Sequence, residues 1–258
     1  MKIAVTGKGG VGKTTIIALI GRVLRDRQDS VLFIDADPDM NLATVIGIPP
    51  DTHITPIIEL QDLIAERTGV TKDTPAPLFK MNPKVDDIPD RYAIEYEGFK
   101  LMVMGTIQKG GGGCACPENA FLKSLLNYMV IARKEWVLLD MEAGIEHLGR
   151  GTAIGVDHML IIVEPNGTST ETAHRIRRLA DDLLVKSVQI IGNKITGPDD
   201  EQFLREELSD FNILGFVPAS DVIKKISLRK SSLLDVDGES LNPIEAIVES
   251  LSRIPVES

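Results

Sequence analysis

Nine residues near the start of the chain, Gly7-Lys8-Gly9-Gly10-Val11-Gly12-Lys13-Thr14-Thr15, have the types and spacing of a phosphate-binding loop, G-x-x-x-x-G-K-[ST]. They lie between an apolar run, Ile3-Ala4-Val5, and a second one from Ile16 to Leu24, the pattern of a strand, a glycine turn and a helix start. Such a loop binds anions through backbone N–H groups. Gly9, Gly10 and Gly12 allow the chain to approach a phosphate without Cβ atoms in the way, and the following helix adds its dipole. Val11 and Thr15 complete the wrapping segment. Lys13 is placed to bridge terminal phosphates, and the Thr14 hydroxyl suits Mg²⁺. Lys8 is additional. A basic residue there can reach a phosphate in its own chain or across a dimer interface.

Acidic residues at two further strand ends fit the same chemistry. Phe33-Ile34-Asp35-Ala36-Asp37-Pro38-Asp39 closes one apolar run, and Val137-Leu138-Leu139-Asp140 closes another. Carboxylates so placed can hold Mg²⁺ through water or orient an attacking water. Asp35 and Asp140 are candidates for the magnesium shell, whereas Asp39 needs no role beyond turn chemistry.

A second chemical feature is Gly110-Gly111-Gly112-Gly113-Cys114-Ala115-Cys116-Pro117. Two thiols with one residue between them can both face one soft metal ion. A tetrahedral thiolate site needs four ligands, and this chain has two cysteines, so a two-fold dimer would supply the full set at its axis. Zn²⁺, Ni²⁺ and Cu(I) all suit thiolates. Two buried structural cysteines and a strained local disulfide are the competing readings. The four glycines count against quiet packing, and a reducing compartment counts against the disulfide.

The elements that must position these residues alternate along the chain. Strands are expected at Lys2 to Thr6, Val31 to Asp35, Leu101 to Gly105, Trp136 to Asp140, His158 to Val163, Val188 to Asn193 and Ile213 to Val217. Helices are expected at Thr14 to Arg27, Pro117 to Arg133, Ser169 to Leu184, Asp199 to Ser209 and Asn242 to Ile254. Several strand runs are apolar throughout, as strands covered on both faces are. The fold class is therefore α/β, a mostly parallel central sheet with helices on both faces, in a single domain spanning 1–258. Ligands bind such sheets at the carboxyl ends of the strands. Residues 71–100 carry Pro75, Pro77, Pro83 and Pro89 without a clean period and are expected to be a loop-rich insertion. The cysteine loop spans about 110–117.

Bulk properties narrow the function classes. The net charge is −10 and the sequence pI about 5.0, so a general nucleic-acid binder is not expected. Lys224-Lys225 and Arg229-Lys230 form the one compact basic stretch, which reads as a solvated helix face. No apolar run reaches the roughly 18 residues of a membrane span, and the first residues enter a strand directly, so a cytoplasmic chain without membrane attachment is expected.

The stretch Lys8 to Thr14 resembles the deviant Walker A loop of the MinD/ParA/nitrogenase-iron-protein class. The resemblance implies ATP hydrolysis to ADP and phosphate in a nucleotide-gated homodimer, with Lys8 reaching the partner's nucleotide. It also implies Asp37 as the residue that orients water, and Asp140 as a Walker B residue followed by a second switch at Ala143-Gly144. Asn193 would contact adenine, with Pro218 forming the other wall. The phosphate loop, the C-x-C after a glycine run and Asp140-Met141-Glu142-Ala143-Gly144-Ile145-Glu146-His147-Leu148-Gly149-Arg150-Gly151 together resemble CooC-type ATPases. Those assist nickel insertion into carbon monoxide dehydrogenase, and a related set serves acetyl-CoA synthase. The implied activity is a metallochaperone ATPase, with ATP/ADP and Mg²⁺ in the nucleotide site and Ni²⁺ or Zn²⁺ at an intersubunit Cys₄ site. Glu142, Glu146 and His147 could relay the nucleotide state or be solvated loop residues. Two other readings compete. A positioning switch of the ParA/MinD type is disfavoured by the acidic charge and by the lack of a basic terminal helix. An iron–sulfur electron-transfer ATPase takes its two cysteines from separate loops, which this chain lacks.

Overall fold

A computed structural model of the chain describes residues 1–37, 39–70, 79–105, 117–141, 155–228 and 231–255. Among these, eight strands form one sheet: β1 (Lys2–Gly7), β2 (Val31–Asp35), β3 (Ile94–Tyr96), β4 (Phe99–Val103), β5 (Trp136–Asp140), β6 (His158–Val163), β7 (Val188–Ile195) and β8 (Asn212–Pro218). Their order is β3-β4-β2-β5-β1-β6-β7-β8. All neighbours are parallel except β3 and β4, so the strand before the phosphate loop lies between two parallel partners near the middle of the sheet.

The pleat divides the core. Leu32, Ile34 and Leu139 point to one apolar layer with Phe121, Met129 and Ile176, while Phe33, Leu138 and Val5 point to the other with Ile16, Leu19, Ile244 and Val248. Helices α1 (Lys13–Asp26) and α9 (Gly238–Arg253) cover the second layer, and α5 (Pro117–Ala132) and α6 (Gly167–Asp182) cover the first. This is the α/β architecture that the alternating apolar runs imply. The contact of α1 with the sheet is close: a Cβ at Gly21 would sit 2.1 Å from Phe33 Cζ.

The remaining helices are α2 (Leu42–Val45), α3 (Gln61–Thr68), α4 (Ile88–Tyr92), α7 (Pro198–Glu207) and α8 (Asp221–Ser227). Strands β2, β5 and β6 have the limits that their apolar runs suggest. Several other elements differ. β4 begins at Phe99 rather than Leu101, because it forms a hairpin with β3 through Glu97 (φ 48°) and Gly98 (φ 83°). Two successive positive φ values give the two-residue turn whose twist matches the flanking strands. Helix α6 is capped by Asn166, which accepts from Ser169 N–H at 3.0 Å, so it starts before Ser169. Helix α9 starts four residues before Asn242, because Asp237 caps it by accepting from Ser240 N–H at 2.8 Å. Pro243 is accommodated near that start.

At the carboxyl edge, four strands are tied by bonds just beyond their ends. Met104 N–H donates to Asp35 O (2.8 Å), Ala36 N–H to Asp140 O (3.0 Å) and Met141 N–H to Val5 O (3.1 Å). The ties run from β4 through β2 and β5 to β1.

Candidate nucleotide site

The phosphate loop leaves β1 at Gly7 and enters α1 at Gly12. Both glycines are required by their surroundings. Gly7 has φ 146° and a Cβ there would lie 2.5 Å from Ile162 O; Gly12 has φ 93° and its Cβ would lie 2.6 Å from Asn193 Nδ2. Side chains with a Cβ are disfavoured in that backbone region and would collide here as well. Gly9 and Gly10 instead face open space. Helix α1 has no side-chain cap, so the N–H groups of its first turn are left for an anion.

Lys13 and Thr15 are each 7% exposed, and Val11 is buried beneath the loop. Asp35 and Asp140 are paired in register on adjacent strands, and Val5 of β1 is the other partner of Asp140. Both carboxylates are fully buried. Asp35 Oδ2 accepts from Leu42 N–H at 3.0 Å and Oδ1 from Asp37 N–H at 3.2 Å, so it shapes the chain after β2. Burial pushes its carboxyl up to about 6 against those two bonds, with the Asp37 charge adding to the rise.

Asp140 is in a different position. Neither of its oxygens has a hydrogen bond of acceptable geometry, although the Thr14 hydroxyl is close enough to favour the charged form. Burial raises its carboxyl to about 7; Asp35 and Asp37 raise it further and Lys13 opposes them. An orphaned buried carboxylate beside a threonine hydroxyl is a hard-oxygen donor set, and it fits Mg²⁺. A divalent cation would supply the missing partner and bring the carboxyl back to its ionised form.

Asp37 is half-buried and its Oδ1 accepts from Asp39 N–H at 3.0 Å. Lys8 is exposed, and its Nζ donates to Thr168 Oγ1 at 2.6 Å, at the start of α6. Asn193 is 4% exposed and its Nδ2 donates to Val11 O at 2.8 Å, which places it under the phosphate loop. Pro218 is the exposed last residue of β8, one step beyond the Asn193–Val217 pair. The fold thus gathers Lys13, Thr14, Asp35, Asp37, Asp140 and Asn193 around one strand end. Cys114, Cys116, Glu142, Ala143, Gly144, Glu146 and His147 lie outside the described residues. Among the described residues no three His, Cys, Asp or Glu side chains converge as a metal cluster.

Sequence reasoning passes over Lys194 and Glu164. Lys194 Nζ donates to Gly10 O at 2.8 Å and is paired with Glu164. The signal is faint, a lysine after Gly-Asn at a strand end and a glutamate just past another.

Residues 2–233 match the model of the CobQ/CobB/MinD/ParA nucleotide binding domain. The chain belongs to that family. It is 43% identical over 253 residues to the carbon monoxide dehydrogenase accessory protein CooC of Rhodospirillum rubrum, covering 97% of this chain and 96% of that one. It is 42% identical over 258 residues to an uncharacterized ATP-binding protein of Methanocaldococcus jannaschii, covering 98% of each. Within the family it is therefore of the CooC type, an ATPase built on the MinD/ParA fold. The solved MinD cell division protein of Aquifex aeolicus superposes with a TM-score of 0.69 over 99% of both chains at 20% identity, a likeness of fold. Membership makes the chain a nucleotide-binding ATPase.

Proposed function

We propose that this ATPase is a metallochaperone that supports nickel insertion into carbon monoxide dehydrogenase or acetyl-CoA synthase. The observation that carries the reading is the 43% identity, over nearly the whole of both chains, to a carbon monoxide dehydrogenase accessory protein. In this reading the chain is one domain with an insertion at 71–100, and ATP closes a homodimer in the cytoplasm, free of nucleic acid and membrane. Lys13 holds the terminal phosphates and Lys8 reaches the partner's nucleotide. Thr14 binds Mg²⁺ directly and Asp140 does so through water. Asp37 orients the water that attacks the γ-phosphorus, and ADP leaves as phosphate forms. Asn193 and Pro218 flank adenine.

The metal is cargo, held between the Cys114 and Cys116 thiolates of two chains. What supports this placement is the position of the flanking elements. β4 ends at Val103 on the carboxyl edge of the sheet, and α5 begins at Pro117. Gly105 (φ 76°) packs tightly there, since a Cβ would lie 2.5 Å from Ile58 Cγ2. ATP and metal then favour the same closed dimer, so each tightens the other.

The test is metal content of the full chain in Ni²⁺ or Zn²⁺, with and without a non-hydrolysable ATP analogue. About one metal per two chains is expected, rising with the analogue, as a shared axial site requires. Equal nickel binding by Cys114→Ser/Cys116→Ser would overturn the reading.

A further inference from the structure

Two consecutive residues at the end of β7 grip two consecutive carbonyls of the phosphate loop. Asn193 Nδ2 donates to Val11 O and Lys194 Nζ to Gly10 O, each at 2.8 Å. A regular strand cannot do this, because successive side chains leave opposite faces. Here the β7–β8 register shifts between Asn193 and Ile195, and Lys194 sits at φ 60°. A bulge of this kind re-aims a side chain, and a left-handed backbone at a residue with a Cβ persists only where its surroundings enforce it.

The ammonium is held from its other side. Glu164, just past β6, pairs with Lys194, and its second oxygen accepts from Asn166 Nδ2 at 3.3 Å. Asn166 Oδ1 accepts from Thr168 Oγ1 at 2.9 Å, and Thr168 accepts from Lys8. The bonds leave the loop at Gly10 and return to it at Lys8.

We infer that Lys194, oriented by Glu164, is a positioning residue of the nucleotide site. Each peptide unit is planar and trans, so its C=O and the next N–H point in opposite directions. Holding Gly10 O and Val11 O on the Asn193–Lys194 side turns the N–H groups of Val11 and Gly12 the other way. Val11 N–H makes only a long 3.4 Å bond, to Lys8 O. Lys194 thus presets the donors that meet the phosphates of a nucleoside di- or triphosphate, without having to touch them. The inference rests on the ATP site described above and adds a residue to it.

The test compares full-length wild type with K194M, K194R and E164Q. Affinity for Mg²⁺-ADP and a non-hydrolysable ATP analogue is measured by calorimetry, and hydrolysis by steady-state rates. K194M is expected to weaken both nucleotides about tenfold and to raise KM to match, with kcat at saturation changed less than about threefold. K194R restores affinity to within about threefold, and E164Q costs about threefold alone but nothing further on the K194M background. K194R and E164Q conserve side-chain volume and carry the test if K194M loses stability. Binding by K194M within twofold of wild type, or a fall in kcat at unchanged KM, would overturn the positioning role. Loss of nucleotide binding by the wild type would overturn the site itself.

Discussion

Asp140→Asn should make the chain more stable and less able to use magnesium nucleotide. Asp140 is fully buried, its oxygens lack hydrogen-bond partners, and its carboxyl is pushed up to about 7 from an ordinary 3.8. A raised carboxyl pKa means that ionisation opposes folding. The penalty is absent below the unfolded value, grows between about pH 4 and pH 7, and is complete above that. It amounts to about 4 kcal/mol at pH 8. Asparagine removes the charge but brings an amide that must find partners, at a cost of about 1–3 kcal/mol, so the net gain is about 2 kcal/mol. In a chain of this length that corresponds to a rise in Tm of about 5 °C. The assay is thermal unfolding in EDTA at pH 8 and pH 5, repeated at pH 8 with Mg²⁺ and a non-hydrolysable ATP analogue. The gain should vanish at pH 5, where the wild-type carboxyl is largely protonated in the folded chain and the penalty falls to about 1.6 kcal/mol, no more than the cost of the amide. With magnesium nucleotide the order should narrow or reverse, because only the wild type has the carboxylate for the ion. An Asp140→Asn variant no more stable than wild type at pH 8, or a gain independent of pH, would refute the assignment of Asp140 as a strained, waiting ligand.

Three further outcomes follow from particular contacts. Gly12→Ala places a Cβ at φ 93° and 2.6 Å from Asn193 Nδ2. It should cost about 1–3 kcal/mol in denaturant unfolding and remove measurable nucleotide binding by calorimetry. Gly21→Ala improves helix propensity by about 1 kcal/mol but drives a methyl into Phe33, so a net loss of about 1–2 kcal/mol is expected in the same unfolding assay. Lys8→Ala should bind nucleotide within a few-fold of wild type yet stay monomeric with the ATP analogue in sedimentation velocity. A persistent analogue-induced dimer would remove Lys8 from the proposed closure.

The elements legible in the sequence are those whose apolar runs are covered on both faces. Val31 to Asp35 and His158 to Val163 admit one reading, since each residue is buried whichever way it points. β3 was not legible, because Ile94-Glu95-Tyr96 is too short to show a period and exists by pairing with β4. Its clue is the Glu97-Gly98 turn. The placement of Lys13 and Thr14 at the start of α1 and of Asp140 at the end of β5 was legible, because a glycine turn between apolar runs and a carboxylate closing another run mark those positions. Lys194 was not, because its role comes from a bulge, and a register shift leaves no mark in composition or spacing. Helix α6 starts ahead of the expected Ser169 for a similar reason: several polar residues in a row can cap, and Asn166 is the one that does.

The three backbone hydrogen bonds that tie the ends of β4, β2, β5 and β1 have a mechanical meaning. Neighbouring strands are about 4.8 Å apart, so the roots of the cysteine loop and the phosphate loop are separated by about 14 Å. The Met104, Ala36 and Met141 bonds fix the four roots on one rail, so the sheet edge is a stationary frame for whatever the loops do. In the proposed reading, the nucleotide state is then passed to the metal without a shift of these strand ends. Slow amide exchange at Met104, Ala36 and Met141, unchanged between ADP and ATP analogue, is the signature of such a frame.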